Sequence, residues 1–212
     1  MSGRASIGLG FIALSLGFLI PTASALVFEP QMGFQAPADF FRIDLIRQGY
    51  DSAIWRLGDA AEILFAVALL LVAAGLSLWP KASGAVLGRA AVAAATMSAG
   101  LFLVVGMIGI VGVETAEGIG AIDQSLADPG LASAMVVRSA FRAASVFATG
   151  VFLLAFIAAS LAQRLVHPII ALLGLVPAAA SFAFPWIMLP VPLAYVVWFG
   201  LAGANLLAAR DA

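Results

Sequence analysis

The segment "WRLGDAAEILFAVALLLVAAGLSLW", residues 55–79, combines a charged beginning with a long apolar run. Arg56, Asp59 and Glu62 lie within its first eight positions, and residues 63–79 carry no charge. About 20 apolar helical residues are needed to cross the roughly 30 Å hydrocarbon layer of a bilayer. The segment therefore predicts a transmembrane helix whose first turns carry ionisable groups that need partners.

The composition extends this prediction to the whole chain. Its 212 residues are 64% hydrophobic and only 10% charged, with a mean hydropathy of +1.13, whereas soluble domains carry about 25% charged residues. We therefore predict an integral membrane protein. The net charge of −1 gives no basic field for nucleic acid. The chain has no cysteine and one histidine, His167, so thiolate chemistry and multi-histidine metal sites are excluded, and we expect no cofactor and no metal.

Six apolar stretches are long enough, or nearly so, to cross a membrane. All are predicted to be helices, because a backbone in lipid must satisfy its own hydrogen bonds and no period-two alternation indicates strands. No linker divides them, so residues 1–212 are predicted to form one all-α transmembrane helix bundle. The predicted spans are about 7–27, 57–79, 90–113, 135–162, 168–184 and 187–209.

The charges predict an orientation. Ten of the eleven acidic residues fall on one side of this arrangement, with Asp211 as the exception. Cytoplasmic loops favour basic residues, so we place the C-terminus in the cytoplasm of a bacterial cell and the protein in its inner membrane. The acid-poor side holds Arg4, Lys81, Arg89, Arg164 and Arg210.

The first span has two interpretations. Its apolar run ends at Pro21 and the small residues Ala23-Ser24-Ala25, which is also the form of a cleavable signal peptide. We favour a retained helix; cleavage after residue 25 would leave five spans with the same orientation.

Two loops on the acidic side carry patterns of their own. Residues 38–49 predict a short amphipathic helix at the outer membrane surface, with a structured loop packed on the bundle as the alternative. Residues 114–130 are acidic and contain Asp128-Pro129-Gly130, which predicts a solvated loop with a turn rather than a calcium site.

The last two predicted spans are rich in proline. Pro168 fits the first turn of a helix, and Pro177 should kink it. A re-entrant hairpin is the alternative to two full spans over residues 168–209. Such a kinked pair could leave an apolar ligand groove, for which the candidate residues are Pro177, Trp186, Tyr195 and Trp198.

Small residues predict close helix packing. Glycines three apart form one face in the third span and another in the last, and such faces let helices approach closely in lipid. They could serve within the chain or bind a protein partner or a second copy. The glycines are Gly106, Gly109 and Gly112 in the third span, and Gly200 and Gly203 in the last.

The charges at the start of the second span have counterparts elsewhere. Arg138 and Arg142 lie four apart at the outer end of the fourth span, at the same predicted depth as the second span's charges. We predict an outer ion-pair cluster, because an unpaired charge is costly there; the alternative is that each group sits among lipid headgroups. Its members are Arg56, Asp59, Glu62, Arg138 and Arg142, with Arg56 and Asp59 able to pair locally.

The middle of the spans carries no Asp, Glu, Lys, Arg or His. Ion-coupled transporters usually carry such groups at mid-depth, and intramembrane hydrolysis needs a catalytic pair or a metal. The sequence therefore argues against both functions.

Two short motifs resemble a known family. "WRLGDAAEILFAVALLLVAAGL" and "LPVPLAYVVWFGLAGANLL" are similar to segments of the uncharacterised bacterial six-span membrane proteins grouped as domain of unknown function four-three-eight-six. The matching positions are Arg56 to Asp59, and Trp198 with Gly200. "RLVHPIIALLG" stands where that family usually has Pro-Arg-Trp-Leu-Gly. The resemblance implies a six-helix bundle and no established activity.

Three functions follow as expectations. The first is a non-enzymatic accessory subunit or small binding module of the membrane, suggested by packing-rich spans without catalytic groups. The second is a carrier or binder of an apolar or lipid-like ligand in the proline-rich groove. The third is a membrane enzyme that uses Asp59, Glu62, Arg138 and Arg142 as an acid–base or phosphate site.

Overall fold

The structure is a computed structural model that describes residues 2–34, 39, 42–183 and 190–208. These residues form seven principal helices, and no strand occurs among them, which confirms the predicted all-α class. The predicted groove residue Trp186 lies outside the described residues. The helices are α1 Gly3–Gln31, α2 Ile43–Asp51, α3 Ala53–Leu78, α4 Val86–Ile122, α5 Gln124–Gln163, α6 Pro168–Ala183 and α7 Pro190–Ala208, with a one-turn helix at Pro80–Ser83.

Four of these helices, α1, α3, α4 and α5, are long and apolar enough to cross a membrane. The other two apolar helices, α6 and α7, are shorter, so the count of six spans stays a prediction. Large apolar side chains on the outside of the bundle are open to the surroundings, with Leu16 60%, Val67 58% and Val176 62% exposed. Such a surface is compatible with lipid contact.

The long helices and the last two form a closed ring. Going round it, α1 packs on α3, α3 on α4, α4 on α5, α5 on α6, α6 on α7, and α7 on α1. The middle of the ring is aromatic: the Phe11 ring lies 5.1 Å from Phe156 and 5.2 Å from Phe199, measured between centroids. The apolar stripe of each helix faces this core. The packing of the ring therefore fixes which way the remaining side chains of each helix face.

Prolines set the local geometry of α1 and α6. Pro21 removes a backbone donor inside α1, and a π-helical turn follows at Ser24–Phe28. The predicted kink at Pro177 has its counterpart three residues earlier, where Gly174 separates the helical segments Pro168–Leu173 and Leu175–Ala183. This is where the proline ring would collide with the preceding turn.

The prediction that residues 114–130 form a solvated loop is wrong, because most of them are helical. Helix α4 continues through Glu114 and Glu117 to Ile122, and α5 is helical from Ala127 onward. Val113 and Ala116 are buried and keep the helix packed on α5. After a 3-10 turn at Gln124–Leu126, Asp128 and Pro129 lie in the first α-helical turn of α5, where a carboxylate is favoured and a missing N–H costs little. The turn signal was therefore a helix start.

The predicted amphipathic helix at 38–49 is present as α2, Ile43–Asp51, somewhat later in the chain. Ile46 and Tyr50 are buried against α4 and α5, in a cluster with Leu131 and Met135. The apolar side of α2 is thus covered by protein. The segment is a helix, as predicted, but it packs on the bundle, as the alternative prediction of a structured loop had it.

The predicted glycine faces lie against other helices of the same chain. Gly106 and Gly109 contact α3, whereas Gly200 and Gly203 contact α1, and Gly112 lies near Ala134 of α5. The close approach that these glycines allow is therefore used inside the bundle. Association through these faces would have to displace contacts that the chain already makes.

Candidate functional site

A buried ion-pair network joins α3 to α5 at one end of the bundle. Asp59 and Glu62 lie one helical turn apart on α3, and Arg138 and Arg142 one turn apart on α5, so each pair projects from a single face. Nη2 of Arg138 donates to Oδ1 of Asp59 and, at 3.3 Å, to Oε2 of Glu62. Nη2 of Arg142 donates to Oε1 of Glu62. Asp59 is 2%, Glu62 4% and Arg138 9% exposed.

Helix α2 holds the other side of Arg138. Nη1 of Arg138 donates to the Tyr50 hydroxyl at 3.2 Å, and Nε of Arg56 donates to the Tyr50 backbone carbonyl at 3.0 Å. Burial raises the pKa of Tyr50 to about 12, so its hydroxyl stays protonated at neutral pH. Arg56 therefore links α3 to α2 beside the network. Asp59, which the sequence suggested as a local partner of Arg56, pairs with Arg138 instead.

Two π-helical turns lie beside the network. One is Ser24–Phe28 in α1, and the other is Ile108–Gly112 in α4. Such turns are rare and occur frequently at functional sites. The first lets Ser24 donate its hydroxyl to Glu29 Oε1 at 3.1 Å. Sequence reasoning missed Ser24, Glu29 and Tyr50, and the only signal for the first two was the proline at position 21.

Gly109, in the second π-helical turn, lies directly against the carboxylate of Asp59. A Cβ atom at this position would overlap the Asp59 side chain. The sequence predicts a packing role for Gly109, and the structure shows that the group it packs against is the charged Asp59 side chain. Gly109 therefore sets how close α4 comes to the ion pair of Asp59 and Arg138.

Substitution of Gly109 by alanine should displace Asp59 from Arg138. Overpacking of this kind costs about 1–3 kcal/mol, and we expect a loss of unfolding free energy in that range. The matched control is Gly100→Ala on the same helix, where nothing lies within 4 Å of an added Cβ. Denaturant unfolding in detergent measures both variants, and equal stability of the two would contradict the role given to Gly109.

A polar cavity and an acidic cavity lie on the two sides of the network. The polar cavity, of about 80 Å³, is bounded by α1, α3 and α5 and lined by Glu29, Trp55, Glu62, Arg138 and Arg142, among others. The acidic cavity, of about 320 Å³, is bounded by α2, α3 and α4 and lined by Tyr50, Asp51, Arg56, Asp59, Glu114 and Glu117, among others. Within the part of the chain that the structure describes, no three acidic or histidine side chains are grouped to hold a metal ion.

The predicted apolar groove residues are separated by the fold. Pro177 and Trp198 line an apolar cavity of about 340 Å³ between α6 and α7, with Leu173, Val176 and Val197. Tyr195 lies in the core instead, where its hydroxyl is 2.6 Å from that of Ser181. The Trp198 indole N–H donates to the Ile170 carbonyl at 2.8 Å.

Comparison with known proteins adds no relative. No protein-family model, no curated protein and no solved structure matches the chain. The resemblance carried by residues 55–76 and 189–207 therefore stays a prediction, and the site itself is the basis for a function.

The pairing of Glu62 with Arg142 can be measured by a double-mutant cycle. We expect Glu62→Gln and Arg142→Gln each to lower the unfolding free energy. The double variant should lose less than the sum, because residues in contact show coupling of about 0.5–3 kcal/mol. Additive losses, within error, would mean that the two side chains do not act as a pair.

Proposed function

We propose that the chain is a six-span inner-membrane protein that acts as a small binding module or accessory subunit, with its site at the charged end of the bundle. The observation that carries this proposal is the buried network of Asp59, Glu62, Arg138 and Arg142 beside a polar cavity. Ionisable groups inside an apolar helix bundle are costly and mark functional sites by default. A purely structural bundle would be served as well by apolar packing.

Binding is favoured over acid–base catalysis by the state of the two carboxylates. Asp59 is paired with Arg138, and Glu62 with both arginines. A general acid or base must lie within hydrogen-bond reach of the substrate proton that it transfers, and these two carboxylates instead bind arginines inside the bundle. An enzyme at this cluster is therefore the lesser alternative.

Six spans are supported by the ring. The shorter helices α6 and α7 pack on α5 and α1 beside the four long ones, so they share the same apolar surroundings. In the alternative, a re-entrant hairpin over residues 168–209, both ends would still lie on the side of Ser83, and α6 and α7 would not reach the side of Ser125.

Cysteine labelling tests the orientation, because the natural chain has no cysteine. Ser125→Cys lies at the acidic end and Ser83→Cys at the opposite end, beside Lys81. In intact spheroplasts we expect a membrane-impermeant maleimide to label Ser125→Cys at least tenfold faster than Ser83→Cys, and both equally after permeabilisation. The opposite order would reverse the proposed topology.

Native mass spectrometry in mild detergent tests the binding role. We expect the wild-type chain to retain a stoichiometric polar ligand or a protein partner, and Arg142→Gln to lose it. Arg164→Gln, at the far end of α5, is the matched control and should keep it. A bare monomer in all three samples would rule out the proposal.

The measured mass also shows whether residues 1–25 remain in the protein. We expect them to remain, because Phe11 and Leu14 fill the core.

A second candidate function is supported by the apolar cavity between α6 and α7. The residues that line it are apolar except for Trp198, whose N–H is already bonded, so its chemistry fits a lipid acyl chain. Ala194→Phe should fill the cavity and reduce lipid retained after detergent extraction. The exposed Ala93→Phe on α4 serves as control, and equal retention by both variants would exclude a specific lipid site.

A further inference from the structure

One buried donor at the polar cavity has no acceptor among the residues that the structure describes. Arg138 uses Nη1 for Tyr50 and Nη2 for the carboxylates of α3, but its buried Nε has no hydrogen-bond partner within the described residues. A buried N–H without an acceptor costs about 1–3 kcal/mol, and such groups normally meet protein, water or a ligand. Since Arg138 lines the polar cavity, an occupant of that cavity can supply the acceptor.

The same cavity carries a carboxylate, Glu29, that lies within electrostatic reach of Arg138 and Arg142 but outside ion-pair distance of both. Glu29 accepts a hydrogen bond from Ser24, and it forms no ion pair within the described part of the chain. Arg142, whose side chain is 38% exposed, uses Nη2 for Glu62, while a guanidinium has five donors. The cavity therefore offers donors at Arg138 and Arg142 and an acceptor charge at Glu29.

We propose that the polar cavity binds a zwitterionic amino compound, with its anionic oxygens at Arg138 and Arg142 and its ammonium group at Glu29. An anion alone would leave Glu29 without an ion-pair partner, and a cation alone would leave the Arg138 Nε without an acceptor. The volume of about 80 Å³ exceeds the roughly 10–15 Å³ that one water needs. This inference rests on the proposed binding role and names the class of ligand for that site.

The zwitterion has two sources with the same chemistry, a free aminoalkyl phosphate and the phosphoethanolamine headgroup of a lipid. Isothermal titration of the purified full-length protein in detergent with O-phosphoethanolamine tests the shared chemistry. We expect saturable binding, at least tenfold tighter than that of ethanolamine or inorganic phosphate alone. Glu29→Gln, which breaks no ion pair, should weaken binding about tenfold, equivalent to about 1.4 kcal/mol. Glu114→Gln, a carboxylate of the acidic cavity, is the matched control and should bind as wild type.

The lipid source is separated by native mass spectrometry from bilayers of phosphatidylethanolamine and phosphatidylglycerol. Selective retention of phosphatidylethanolamine that is lost in Glu29→Gln assigns the ligand to a lipid headgroup; titration without such retention assigns it to a free compound. The proposal is overturned if neither assay shows zwitterion binding, or if Glu29→Gln binds as tightly as wild type. If the protein then keeps another polar ligand, only the ligand class is wrong; if it keeps no ligand and no partner, the binding role falls as well.

Discussion

Replacement of Arg138 by glutamine should lower the unfolding free energy by about 3–5 kcal/mol, because it leaves a buried carboxylate without its partner. Asp59 is only 2% exposed and its ion pair is with Arg138, whereas Glu62 also has Arg142. The loss of stability should therefore come mainly from Asp59. Denaturant unfolding in detergent measures it, and the additional substitution Asp59→Asn should restore part of the loss.

A matched control for Arg138→Gln exists in the same chain. Arg47 on α2 pairs with Asp128 on α5 at 2.7 Å, but the two side chains are 55% and 63% exposed. Exposed ion pairs contribute about 0–1 kcal/mol, so Arg47→Gln should leave stability nearly unchanged. If both substitutions cost the same, burial would not be what makes the Arg138 network important.

Substitution of Phe11 by alanine should cost about 3–5 kcal/mol, the usual range for a buried phenylalanine. Phe11 is fully buried, and its ring contacts Phe152, Phe156, Trp198 and Phe199 from two other helices. Its loss would open a cavity where α1, α5 and α7 meet. Thermal unfolding in detergent, together with the yield of monodisperse protein, measures the effect.

Leu16→Ala on the same helix is the control for Phe11→Ala. Leu16 is 60% exposed and faces away from the core, where lipid or detergent replaces the lost contacts. We expect its stability to stay within about 0.5 kcal/mol of wild type, as for other substitutions away from packed positions. A large loss at Leu16 would indicate that this face is buried by a partner in the sample.

Hydropathy was sufficient to predict the helical class and the positions of the long helices, because an apolar run of this length has no other stable form in lipid. Hydropathy was insufficient for residues 114–130, because their acidic composition resembles that of a loop. The end of α4 is helical there because Val113 and Ala116 pack on α5. Hydropathy also left the span count unresolved, because α6 and α7 are too short to decide it.

The candidate site could be predicted only where charge and helical spacing coincide. Asp59, Glu62, Arg138 and Arg142 lie at regular spacings and at one depth, and the structure brings these four together. Glu29 and Tyr50 could not be placed from the sequence. Glu29 reaches the site through the π-helical turn in α1, and Tyr50 reaches it because α2 packs on the end of the bundle. Long-range placement of this kind leaves no periodic trace in the sequence.

The seam between α1 and α7 has a consequence for biosynthesis. The Ser15 hydroxyl donates to the Val196 carbonyl at 2.7 Å, 181 positions along the chain. At about 5–20 residues per second of synthesis, α1 waits roughly 10–40 seconds before its partner exists. During that time, the Gly8 face, which Gly203 and Leu207 later cover, is open to insertion factors and proteases. Slow translation of the α6–α7 region should therefore increase degradation of the nascent chain more than slow translation of α3, whose contacts with α1 form early.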